Sequence, residues 1–188
     1  VVFGNANLIT ISGSHNLYNV KFFTNYNYVY TIASGTVLTS LGTLTIDTVG
    51  TTSINTGTLE AKGDIVQGGT FTGGGGTATL LINGTGNQTF TGGYTATGIG
   101  SFSNTLPVNI NKPSGTLTLA GTIQTLSNWT YVSGTINPGT STVIFGTGNL
   151  TITGSHSLYN VKFSSGSGTA QTIAAGTTLT SLGTLTLD

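Results

Sequence analysis

The chain has 188 residues, no cysteine, and a formal net charge of zero from four Lys, no Arg and four acidic side chains. That balance leaves no basic face for nucleic acid or anionic lipid, and no disulfide framework. Charged residues make up 4% of the chain, against roughly 25% in an ordinary soluble domain, and Gly, Thr, Ser and Asn fill their place.

In chain order, Val1-Val-Phe3 and Leu8-Ile-Thr-Ile11 open as strand-like segments around Gly4-Asn-Ala-Asn7. Gly13-Ser-His-Asn-Leu-Tyr-Asn-Val-Lys-Phe22 follows, with Leu17, Val20 and Phe22 as its apolar positions. Then come Thr24-Asn-Tyr-Asn-Tyr-Val-Tyr30, Thr36-Val-Leu38 and Gly42-Thr-Leu-Thr-Ile46. Residues 48–95 carry further segments of the same kind: Gly57-Thr-Leu-Glu-Ala61, Asp64-Ile-Val66, Gly69-Thr-Phe-Thr72, Thr79-Leu-Leu-Ile82 and Gln88-Thr-Phe-Thr91. Thr105-Leu-Pro-Val-Asn-Ile110, Gly115-Thr-Leu-Thr-Leu119, Asn128-Trp-Thr-Tyr-Val132 and Thr142-Val-Ile-Phe145 lead into Gly154-Ser-His-Ser-Leu-Tyr-Asn-Val-Lys-Phe163.

That last segment is a copy. Displaced by 141 residues, Gly13–Asp47 aligns with Gly154–Asp188 at 23 identities in 35 positions, and Val1–Gly4 matches Val143–Gly146 with one residue inserted. The chain therefore reads as one repetitive domain, 1–188, in which 1–47 matches 142–188 and degenerate copies fill 48–141. Repeats of this kind point to stacked supersecondary units.

No segment has helical spacing. Apolar residues alternate with Thr over three to six positions, and Gly, Asn-Gly or Pro-Gly interrupts every 8–12 residues. A period of two buries one face of each strand, β-branched Thr suits the other, and Gly and Asn suit sharp corners. The expected fold is all-β, a parallel β-helix (β-solenoid) of about 20 residues and three short strands per turn. Roughly nine turns at about 4.8 Å would make a rod of about 45 Å. A β-sandwich is the alternative. No helix or polar cap is visible at either end, so the rod is expected to join copies of itself or adjoining repeats end to end. The chain lacks an initiating Met and a visible signal peptide, which reads as a processed protein or a window of a longer one. No apolar run approaches the roughly 18 residues of a membrane span.

Few side chains suggest chemistry. Glu60, Lys62 and Asp64 would share one face if they lay on a strand, as in the acidic clusters of polysaccharide-degrading β-helices. Such sites also need Arg, more Lys or bound Ca²⁺, and a solvated edge is the preferred reading. His15 and His156 are equivalent in the repeat and read as corner residues bonded to backbone. No catalytic residue, metal site or cofactor is assigned. Gly73-Gly-Gly-Gly76 lacks the Lys-Ser/Thr of a phosphate loop. Tyr26, Tyr28 and Tyr30 alternate with Asn25 and Asn27, and become Ser167, Thr169 and Gln171 in the second copy. Because core positions should stay apolar, all five are read as exposed candidates for contact with surface glycans or a protein, with local packing as the alternative. Asn83, Asn87, Asn128 and Asn149 head Asn-X-Thr triplets and are candidate N-glycosylation sites. Thr43-Leu-Thr45, Thr70-Phe-Thr72, Thr151-Ile-Thr153 and Thr184-Leu-Thr186 suggest an ice-binding rank, but their spacing is irregular.

The lines Gly134-Thr-Ile-Asn-Pro-Gly-Thr-Ser-Thr-Val-Ile-Phe-Gly-Thr-Gly-Asn-Leu-Thr-Ile152, Ser157-Leu-Tyr-Asn-Val-Lys-Phe163 and Gly183-Thr-Leu-Thr-Leu187 resemble the Thr/Gly-rich repeats of large secreted bacterial and archaeal surface proteins. These are β-helical, filament-forming adhesins or S-layer-like proteins. The resemblance covers essentially the whole chain, and its motifs are compositional. It implies an extracellular, non-enzymatic structural protein at the cell surface, a building block of a fibre or adhesin stalk, and carries over no catalytic residue. The Tyr-Asn insert at 24–30 departs from the pattern. A carbohydrate- or ice-binding module and a polysaccharide-degrading enzyme are the competing functions.

Overall fold

A computed structural model describes residues 1–4, 6–49, 51–68, 74–94, 105–164, 166 and 168–188. Thr70-Phe-Thr72, Gly73 and Ser167 lie outside the described residues. The strands are β1 Val2–Gly4, β2 Ile9–Ile11, β3 His15–Leu17, β4 Val20–Phe23, β5 Val29–Ser40, β6 Leu44–Asp47, β7 Ser53–Ala61, β8 Ile65–Gln67, β9 Thr79–Ile82 and β10 Gln88–Gly93. They continue as β11 Val108–Thr125, β12 Trp129–Asn137, β13 Thr142–Phe145, β14 Leu150–Thr153, β15 His156–Leu158, β16 Asn160–Phe163, β17 Gln171–Ile173, β18 Leu179–Ser181 and β19 Leu185–Leu187.

Every pairing between these strands is parallel and joins a strand to one a turn away. Parallel pairing without helical crossovers requires the chain to coil, which makes this a β-solenoid and excludes the β-sandwich. One ladder runs its length through Cα partners His15, Leu38, Leu59, Leu80, Val108, Trp129, Ile152 and Ile173. That is eight turns rather than nine. Register steps run from 18 residues (Thr142 to Asn160) to 29 (Gln88 to Leu117), so the average turn is longer than the 20 expected.

The described strands lie on three faces. In the first turn β1, β2 and β3 define the first, second and third. The first-face ladder is Val20, Leu44, Ile65, Phe90 and Leu119. Within β11 the chain turns at Gly121, whose φ is +67°; Thr122–Thr125 then lie between the first-face residue Leu119 and the third-face residue Trp129. This second-face segment continues upward through Ile123, Val143, Val161 and Leu185.

The two copies therefore occupy different faces. Ile152 matches Ile11 in sequence, yet Ile11 pairs with Ile32 on the second face while Ile152 belongs to the third-face ladder that begins at His15. The 141-residue displacement amounts to six turns and one face. Identical sequence folds identically on either face because each strand sees the same surroundings: an apolar ladder inward and water outward. The stacked ring pair Phe3–Phe22 (5.1 Å between centroids) returns as Phe145–Phe163 (5.3 Å).

Packing follows the alternation. β9 and β13 read half-buried, buried, half-buried, buried, with Leu80, Ile82, Val143 and Phe145 inside. Burying each such side chain contributes about 1.5–3 kcal/mol. Among the described residues three ion pairs, Lys21–Asp47 (2.9 Å), Lys62–Glu60 (2.9 Å) and Lys162–Asp188 (2.5 Å), set partly exposed ammonium groups against carboxylates that range from buried (Asp47) to exposed (Asp188). With the ammonium open to solvent, each contributes at most about 1 kcal/mol. The ladders hold the rod. Its corners stack as closely as its strands: a Cβ on Gly63 would collide with the Gly42 carbonyl one turn below. Backbone cannot yield there as a side chain can, so Gly63→Ala is expected to destabilise the protein by about 1–3 kcal/mol, read from the urea midpoint.

Candidate functional site: the lateral corners and the open sheet edges

The Tyr-Asn stretch forms the corner between β4 and the first segment of β5. Asn25, Tyr26 and Asn27 are exposed, and Tyr26 meets Tyr28 edge to face at 6.3 Å. Tyr28 is half-buried against the core. Tyr30 does not join them. It is fully buried, its ring edge-on to Phe22 at 5.4 Å, and burial raises its phenol above the ordinary range, with Tyr28 adding to the shift. The expectation of exposure rested on Gln171 at the matching position. Gln171 stays at that position by donating from Nε2 to the carbonyls of Phe145 (3.0 Å), Ser164 (2.7 Å) and Gly146 (2.5 Å). An amide that donates to backbone carbonyls can stand on the inward phase of a strand, as Gln67 and Gln88 also do.

The triplet asparagines have a structural task that the sequence reading missed. The Oδ1 of Asn87 accepts from Thr116 N–H (3.0 Å), that of Asn128 from Thr151 (2.9 Å), and that of Asn149 from Ala170 (2.7 Å). Asn7, Asn19 and Asn160 do the same for Val29, Thr43 and Thr184. Each sits at the corner before a strand and receives an amide from the next turn. Except after Asn7, where Leu8 is exposed, the residue that follows points inward and the next outward, so a corner Asn followed by an inward residue and Thr reproduces the Asn-X-Thr triplet for a structural reason. Asn87, Asn128 and Asn149 are exposed. Asn83 is half-buried, and its Nδ2 donates to Glu60 at 2.7 Å. Asn128→Ala leaves the Thr151 amide without this acceptor and is expected to cost about 1 kcal/mol, with faster hydrogen exchange at Thr151.

Glu60, Lys62 and Asp64 do not share a strand face. Glu60 lies near the end of β7, the chain bends at Lys62–Gly63, and Asp64 turns away to accept from the Thr89 amide at 2.8 Å. Glu60 accepts from Thr39 (2.7 Å) and Asn83, besides pairing with Lys62. Burial alone would raise its carboxyl, but these hydrogen bonds outweigh burial and hold it below the usual range. A locked carboxylate of this kind is poorly suited to general-acid work.

Both histidines bond to backbone as expected, His15 Nε2 with Ser12 O (3.0 Å) and His156 Nδ1 with Gly154 O (2.8 Å). His156 does more. Its Nε2 accepts from Trp129 Nε1 at 3.1 Å, which places the proton on Nδ1, and its ring stacks on Tyr131 at 5.3 Å. Burial lowers its pKa, opposed by the Gly154 bond. Among the described residues no group of three His, Asp or Glu gathers to hold a metal ion.

Lys112 was not anticipated at all. It is 2% exposed, and its ammonium donates to Gly84 O (2.7 Å), Gly86 O (2.9 Å) and Gln88 Oε1 (2.6 Å). Three donors meet three acceptors, none of them a carboxylate, and burial pushes its pKa down. The signal was present: Val108, Ile110 and Lys112 keep one period-two phase, and that phase is inward.

A cavity of about 20 Å³ inside the rod, beside Leu80 and Trp129, is too small for a substrate. No family model, curated protein or solved structure matches this chain. A larger apolar feature lies at the C-terminal edge, an open cavity of about 390 Å³ lined by Phe163, Gln171, Ile173, Leu187 and Asp188. In the first copy Leu44 and Ile46 are 0% and 5% exposed; their counterparts Leu185 and Leu187 are 56% and 73% exposed. At the opposite edge Val1, Val2 and Leu8 are exposed.

Proposed function

We propose that this chain is a non-enzymatic structural protein, a length of β-solenoid rod in an extracellular cell-surface fibre or adhesin stalk. The observation that carries this reading is the pair of unfinished edges. Each ends in open strands with apolar side chains uncovered, and in the first copy almost the same sequence is covered by the following turn. Such edges are templates for further strands. The neutral lateral surface of Thr, Asn and Gly suits a spacer, and the Thr/Gly-rich repeat pattern points the same way. Electron microscopy of the native polypeptide, with any adjoining repeats in place, is expected to show unbranched rods one solenoid wide and far longer than the about 38 Å of eight turns. Compact particles at every concentration, with the native ends intact, overturn the reading.

A second reading has one observation in its favour: exposed Tyr26 between exposed Asn25 and Asn27 offers a ring for stacking on surface glycans. It predicts glycan binding that Tyr26→Ala abolishes. Ice binding finds less support, because the first-face outward ladder Lys21, Thr45, Val66, Thr91, Ala120 forms no continuous rank of Thr. For the enzymatic alternative the decisive variant is Glu60→Gln. On the structural reading it costs about 1–3 kcal/mol of stability through its lost charged hydrogen bonds and changes no polysaccharide turnover. Turnover that vanishes in the folded variant would favour an enzyme.

A further inference from the structure

We infer that the C-terminal edge is a joint for a turn of one sequence type, the type that residues 48–67 supply inside this chain, carried by an adjoining repeat rather than by the N-terminal edge of an identical copy. This rests on reading the edges as joints and names what each joint takes. The molecule contains its own control. Ile32, Leu38, Leu44 and Ile46 are covered by β7 and β8, with Leu59 over Leu38 and Ile65 over Leu44. Their counterparts Ile173, Leu179, Leu185 and Leu187 form the open edge.

The corners match as well. Gly176 has a φ of +76° and its counterpart Gly35 of +74°. Gly183 crosses Asn160 and Tyr159 as Gly42 crosses Asn19 and Tyr18, so the next corner above it must again be as slim as Gly63.

The N-terminal edge makes a different demand. In the second copy β13 and β14 rest on β11 and β12, where Trp129 donates to His156 and meets Phe145 edge to face at 6.1 Å. At the N-terminal edge His15 is exposed and Phe3 only partly covered. The C-terminal edge offers Ile173 on the ladder position that Trp129 fills, with no indole to donate. Each edge is thus fitted to an interior turn of the repeat, and the two edges are not fitted to one another.

Because Asp188 matches Asp47, the sequence of residues 48–67 can be appended directly after Asp188. In that extended protein the amides of β17, β18 and β19 are expected to exchange at least about tenfold more slowly than in the original chain. Extensions of equal length carrying a shuffled order, or the sequence of residues 1–20, should leave them unchanged. No slowing, or equal slowing by either control, overturns the inference. So does equal protection of the unextended chain at rising concentration, which would make an identical copy the occupant. Filaments formed by the unextended chain together with that result leave the fibre reading standing while this inference falls. Neither protection nor filaments removes both.

Discussion

Trp129→Ala is expected to lower stability by about 3–5 kcal/mol, the range for deleting a buried large aromatic. At about 2–4 °C per kcal/mol for a chain of this size, the melting temperature should fall by about 6–20 °C, followed by circular dichroism because this is the chain's only Trp. Three supports go at once: the third-face ladder loses its member between Val108 and Ile152, Phe145 loses its edge contact, and His156 Nε2 loses its donor. Trp129→Phe separates them, since it keeps most of the volume and removes only the indole N–H. Its expected cost is smaller, about 1–2 kcal/mol. The pH dependence gives a second readout. His156 titrates below its unfolded value of 6.5, so its contribution is complete above pH 6.5. As pH falls from there the unfolded chain takes up the proton first, stability declines, and the decline ends below the folded pKa. Trp129→Phe removes a hydrogen bond that favours the neutral ring, so the decline should shrink. An unchanged acid limb in this variant would contradict the assigned tautomer.

Lys112→Met is expected to destabilise the protein by about 2–4 kcal/mol even though it removes a buried charge. Methionine fills much of the space, but Gly84 O, Gly86 O and Gln88 Oε1 lose the donor that satisfies them, and buried acceptors without partners cost about 1–3 kcal/mol each. The saving from not burying an ammonium offsets part of this. The sign with pH distinguishes the two terms. Because the folded pKa of Lys112 lies below 10.5, the unfolded chain binds more protons between those values, and stability rises with pH across that window. Tyr30 acts oppositely above pH 10, since its buried phenol resists ionisation. Urea titrations from pH 8 to 11 should therefore show a rising component in the original chain that Lys112→Met lacks. A smaller rise in the original than in the variant would refute the caged-ammonium account.

Much of this architecture is written locally in the chain. The apolar–Thr alternation of Thr79–Ile82 or Thr142–Phe145 states which side chains turn inward, since successive residues on a strand face opposite sides. Gly and Asn between such runs mark the corners, and the copy of Gly13–Asp47 at Gly154–Asp188 requires stacking. Phase also held the clue to Lys112, Tyr30 and Gln171, whose inward positions follow from their neighbours. Residue type concealed them, because a polar side chain is read as exposed until its hydrogen-bond partners are known. For Lys112 and Gln171 those partners are chiefly carbonyls about one turn away, whereas the Tyr30 hydroxyl is buried without one and its ring alone holds it inside.

What lies one turn away is the information that local sequence lacks. The Oδ1 of Asn128 meets the Thr151 amide, and Trp129 meets His156, only after every corner length between them has been added up. The same summation over residues 48–141 sets Ile152 one face away from its twin Ile11. Sequence by itself determined the strands, their inward faces and the solenoid. The tertiary structure alone decided the number of turns, the face each copy occupies and the partner each corner meets, because these depend on accumulated path length around the axis and on no single residue.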